Sequence, residues 1–142
     1  MAKTLTKITN KDGMVAVYWK QEAENGTQAV CAINGMIRPQ DGLVEAMRAV
    51  VPHIQRTLNP GIPPEEVVKQ ESVMALFSIT ERKVKMGTVV KVRFGLNYPK
   101  QTMPTTNIGE LPDEFISAID RLVAQGIEYA RLSCAARDAV TQ

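Results

Sequence analysis

The chain predicts an α+β fold in which an antiparallel sheet of about five strands is covered by two main helices, the C-terminal one long. Three observations carry that prediction. Asp-Gly and Asn-Gly turns punctuate a β-rich start. Apolar residues recur every three or four positions over two later stretches. Between those stretches lies a run of strict alternation through Val90, Val92, Phe94 and Leu96. The resulting order is β-β-β-α-β-β-α, expected to form a single domain over residues 1–142.

The first strand runs from Lys3 to Thr9 and the second from Met14 to Gln21, separated by Asn10-Lys11-Asp12-Gly13. Asp-Gly between two β-rich runs signals a tight hairpin, because both central turn positions need a backbone that few other residues adopt. Asn25-Gly26 repeats the signal before Thr27–Ile33, which makes a three-stranded meander. Val15, Val17 and Trp19 alternate with Ala16, Tyr18 and Lys20, so neither face is strongly polar and cover is expected on both.

After Gly35 the period lengthens. Leu43, Met47, Val50, Val51, Ile54 and Leu58 form a stripe that predicts a helix from about Gln40 to Leu58, with Asp41 placed to cap its first amides. Pro52 has no amide for the Arg48 carbonyl, which predicts a kink or two short helices. Asn59-Pro60-Gly61 ends the element, and Pro64-Glu65-Glu66 starts a further short helical turn.

Val73–Thr80 reads as a strand that continues through Arg82 to Met86 and returns from Thr88 to Tyr98. Alternation sets Lys91 and Arg93 on the face opposite Phe94. The segment from Asn97 to Asn107, with Pro99 and Pro104, reads as a polar connecting loop. Leu111-Pro112-Asp113-Glu114 then opens the last helix, with acids suited to the positive end of its dipole. Phe115, Ile116, Ile119, Leu122, Val123, Ile127 and Ala130 supply its apolar stripe. Unbroken to about Ala139 it would span roughly 40 Å, so either Gly126 divides it or its tail projects onto another subunit.

Composition excludes several function classes. With 44% hydrophobic and 23% charged residues the chain is ordinary for a globular protein. No apolar run approaches the ~18 residues that span a bilayer, and the N-terminus lacks the apolar core of a signal peptide, so a cytoplasmic protein with no membrane partner is expected. Cys31 and Cys134 lie far apart among apolar neighbours and read as buried free thiols. With the single His53 they offer no zinc spacing, and no phosphate-binding loop or other cofactor motif is present.

The chemistry that stands out is charge. Arg82, Lys83, Lys85, Lys91 and Arg93 gather in one hairpin of a chain whose net charge is only +2. Such a group can neutralise phosphates, while lysines on an exposed edge hairpin also prevent unwanted strand pairing. Asn97 and Tyr98 follow the basic strand and add neutral contacts. The expected function is non-enzymatic capture of a phosphate-bearing ligand, either a nucleotide-like small molecule or single-stranded nucleic acid. The alternative is a protein–protein interaction module, an assembly subunit or small inhibitor that uses the C-terminal helix. A homo-oligomer is expected in either case. A phosphate-ester hydrolase with His53 as base is the remaining option, but the sequence gives it no nucleophile and no orienting acid.

Overall fold

A computed structural model describes residues 3–34, 37–69 and 71–141. The change of period at Gly35 lies outside them. The chain forms strands β1 (Lys3–Lys11), β2 (Met14–Glu22) and β3 (Gln28–Asn34), helices α1 (Asp41–Leu58) and α2 (Pro64–Lys69), and strands β4 (Val73–Val84), β5 (Gly87–Asn97) and β6 (Gln101–Asn107). A 3-10 turn at Ile108–Glu110 leads into helix α3 (Asp113–Thr141).

The sheet has six strands in the order β3-β2-β1-β4-β5-β6, all neighbours antiparallel. It consists of two three-stranded meanders joined through their first strands. The expected count of about five omitted β6, whose residues read as a loop. Proline removes a ladder donor, so Pro104 is tolerated only because β6 is the sheet's edge strand.

Local chemistry explains the turns. Asp12 and Gly13 take φ of 53° and 91° between the paired Lys11 and Met14, as a two-residue hairpin requires. The side chain of Asn10 closes this turn by accepting from the Gly13 amide at 3.0 Å and donates to the Met74 carbonyl on β4. One buried amide thus ties the hairpin to the second meander.

Helices α1 and α3 cover one face of the sheet. Leu5, Ile8, Val17, Trp19, Phe77, Phe94 and Met103 from the strands meet Leu43, Val50, Ile54, Phe115, Ile119 and Leu122 from the helices in one buried cluster. Helix α1 lies over β4 and β6, whereas α3 lies over β1, β2 and β3. Cover on both faces, expected from β2, is therefore not found: Tyr18 and Lys20 face away from the helices, and Ala16 is buried at mid-sheet between Thr9 and Asn34.

One expectation about the helices changes, at the α1 cap, and one of two alternatives falls at each of Pro52 and Gly126. Helix α1 continues through Pro52 as one element. Its N-cap is Gln40, whose carbonyl accepts from the amides of Leu43 and Val44, while Asp41 is the first helical residue and makes no cap bond. Helix α3 is not divided at Gly126. A Cβ there would lie 2.9 Å from Ile8 Cδ1 and 3.1 Å from Leu5 Cδ1, so glycine lets the helix approach β1 closely. Beyond it Tyr129 is fully buried, and its hydroxyl donates to the Ile37 carbonyl at 2.9 Å.

Candidate functional site: the open cationic face of the sheet

Strand alternation places two sets of side chains on the sheet, one toward the helices and one toward solvent. Register assigns the cations between them. Phe94 pairs with Phe77 on the helix side, so Arg93 opposite Ser78, Lys91 opposite Thr80 and Arg82 opposite Val89 stand on the open face. Ser78 also pairs with Lys7 of β1, and Lys7 with Tyr18 of β2. The Lys7 ammonium sits 5.3 Å from the centre of the Tyr18 ring, which fixes both on the same side. Lys20, paired with Thr4, stands on that side too, and Lys11 joins it beside the first turn.

Lys7, Lys20, Arg82, Lys91 and Arg93 therefore form a field across four adjacent strands, β2, β1, β4 and β5. Adjacent strands lie about 4.8 Å apart, so the field is about 14 Å wide. Among the described residues Glu22 is the sole strand carboxylate on this face, since Glu81 pairs with Val90 on the helix side. No salt bridge of the described residues reaches these five cations. Apart from the contact of Lys7 with the Tyr18 ring, no described group of opposite charge holds them, which leaves their charge available to an anion.

The sequence-predicted site residues separate into three groups. Arg82, Lys91 and Arg93 join the open face. Lys83 takes the opposite parity and pairs with Thr88, while Lys85 sits with Met86 in the turn joining Val84 to Gly87. Every residue from Glu81 to Thr88 is exposed, so this end of the hairpin projects as an arm with both faces in solvent. Asn97 and Tyr98 lie at the far end of β5 from that arm. The Tyr98 hydroxyl donates to the Asp12 carboxylate at 2.5 Å, tying the turn after β5 to the turn after β1. That bond, with the nearby negative charge of Asp12, raises the phenol pKa above its ordinary 10.0. Sequence reasoning missed Lys7 and Lys20. Lys20 follows the alternation of β2, but a bulge between Leu5 and Lys7 interrupts that of β1, and nothing local announces the β1–β4 pairing that brings both lysines beside the basic hairpin.

The centre of the sheet is also incomplete. Strands β1 and β4 pair only over Lys7–Thr9 and Leu76–Ser78. Toward Lys3 and Lys83 a cavity of about 780 Å³ lies between them, lined by Val123 and Ile127 of α3, by Leu5 and Ile79, and by Lys3, Lys20 and Lys83 with two glutamates. It borders the open face through Lys20.

The other candidates resolve as follows. His53 is half-buried and stacks on Phe115 with ring centroids 5.2 Å apart. Burial, then the nearby Arg56, lowers its pKa below 6.5, opposed in part by Glu114. Cys31 and Cys134 are free thiols, each half-buried rather than buried. Among the described residues no three His, Cys, Asp or Glu side chains group as metal ligands, and no helix is long and apolar enough to cross a membrane.

No family model matches the chain, and no curated protein or solved structure matches it.

Proposed function

We propose that this protein binds single-stranded nucleic acid along the open face of its sheet. The observation that carries the reading is the cationic field of Lys7, Lys20, Arg82, Lys91 and Arg93, spread over strands from both meanders, which among the described residues no ion pair reaches and no helix covers. Spread charge favours an extended polyanion, whose successive phosphates meet successive cations, over a compact ligand that touches two or three. An uncovered sheet face also leaves bases free to lie against it, and Tyr18, beside Lys7, is an aromatic side chain on that face. The role is binding without turnover, and cytoplasmic residence belongs to the same proposal.

A mononucleotide is the second reading, favoured by the cavity between β1 and β4 with its three lysines. The two readings separate in one experiment. Fluorescence anisotropy with a labelled oligothymidine measures affinity for the chain and for Lys91→Ala/Arg93→Ala. The expected loss is about tenfold, with thermal unfolding nearly unchanged because both side chains are exposed. Equal affinity of the double variant removes the hairpin from the site. Competition by a mononucleotide at the oligomer's own affinity moves the site to the cavity.

A further inference from the structure

The two edges of the sheet, β3 and β6, are guarded unequally. β6 contains Pro104 and its pairing with β5 is irregular, and both features obstruct addition of another strand. β3 has no such device. Gln28 to Asn34 includes no charge and no proline, and the strand pairs with β2 without a bulge from Glu22↔Gln28 to Ala16↔Asn34. Three of its apolar side chains lie in solvent: Val30 is 75% exposed, and Ala29 and Ala32 are exposed. A straight, uncharged edge with a free row of backbone donors and acceptors is a template for one more strand.

We infer that β3 is the interface of a homodimer, pairing antiparallel with β3 of a second copy to make one continuous sheet. Three features select a second copy as the occupant. An antiparallel strand laid against itself is self-complementary, so a two-fold axis closes the pair and leaves no further edge of this kind open. β3 meets itself without like charges, whereas the projecting arm of β4 would set Arg82 and Lys83 near their own copies. Helix α3 also reaches this edge. It meets β5 through Phe115 and Phe94, passes β1 at Gly126 and touches β3, which carries its exposed Ala135 and Ala139 toward the border where the second copy would lie.

The register that uses the whole strand centres on Cys31. Cys31 then faces Cys31 of the second copy, Val30 faces Ala32, Ala29 faces Ile33 and the amide of Gln28 faces that of Asn34. With the two-fold axis normal to the sheet each side chain keeps its face. All helices lie on one side of the joined sheet, and the two cationic faces lie side by side on the other. The dimer does not depend on the nucleic-acid reading, but it would double the track available to a polyanion.

Sedimentation of the full chain tests the mass, which should be twice the 15.6 kDa of one chain. Val30→Lys/Ala32→Lys, both exposed on the open face, sets like charges directly opposite at two places across the seam and should return a folded protein of single-chain mass. Diamide oxidation of a Cys134→Ala variant should yield a covalent dimer on a non-reducing gel, lost on adding Cys31→Ser, because directly opposed antiparallel residues lie within disulfide reach. Single-chain mass for the unsubstituted protein overturns the inference. So does a dimer that forms no Cys31 crosslink, or a folded Val30→Lys/Ala32→Lys variant that remains dimeric.

Discussion

Lys7 and Arg93 stand on either side of Ser78 on the open face, one paired with it from β1 and the other from β5. Two strand spacings separate their backbones, about 10 Å, although 86 positions separate them in sequence. The basic hairpin is thus one half of a charge field whose other half comes from the first two strands.

That relationship predicts the effect of residues outside the hairpin. Lys7→Ala/Lys20→Ala should weaken oligothymidine binding about as much as Lys91→Ala/Arg93→Ala, roughly tenfold, because each pair removes two positive charges from one face. Lys83→Ala should cost less, since Lys83 takes the opposite parity. Anisotropy titration of the three variants checks the ranking. A Lys7/Lys20 variant that binds like the unsubstituted chain would limit the site to the hairpin.

Gly126 predicts a stability effect free of any ligand. Alanine in mid-helix ordinarily gains about 1 kcal/mol over glycine. Here its Cβ would crowd Ile8 and Leu5, both buried, so Gly126→Ala should instead lose about 1 kcal/mol by overpacking. Ile8→Val removes the Cδ1 that clashes, so in that background the same substitution should cost less. Urea unfolding of the four chains measures the coupling directly. A stabilising Gly126→Ala would mean that α3 does not approach β1 this closely.

His53 predicts a pH effect. Burial favours the neutral ring, so its folded pKa lies below the unfolded 6.5. A depressed pKa contributes stability that is present above pH 6.5 and lost as pH falls through the folded value. As the chain has one histidine, its imidazole proton resonance can be assigned at once and should titrate with a midpoint below 6.5. His53→Gln should flatten the loss of stability in that window. A midpoint above 6.5 would contradict the stacked, half-buried setting.

Much of the fold was legible where local chemistry decides it. Asp12-Gly13 and Asn25-Gly26 announced the first meander, strict alternation announced β5 and the side taken by Lys91 and Arg93, and two apolar stripes announced α1 and α3. What escaped was decided by tertiary pairing. β6 carries Pro104, which reads as a loop until β5 supplies its ladder. Gly126 reads as one of two ways to accommodate a long helix until the nearness of Ile8 and Leu5 gives the glycine a packing role. The open face escaped for the same reason. Nothing local sets Lys7 and Lys20 apart or says that β1 lies against β4, and the helices' choice of one face is a property of the packed whole. Asn97 and Tyr98 illustrate the converse, since closeness in sequence to Arg93 leaves them at the far end of β5 from the arm.

The most direct test of the account is the salt dependence of oligothymidine binding. On a single strand the logarithm of the association constant falls by about 0.7 per neutralised phosphate for each unit of log salt. Engagement of the five open-face cations predicts a slope of about −3.5, falling to about −2 in Lys91→Ala/Arg93→Ala. A slope near zero, or one that the double variant leaves unchanged, would contradict a polyanion bound on the open face.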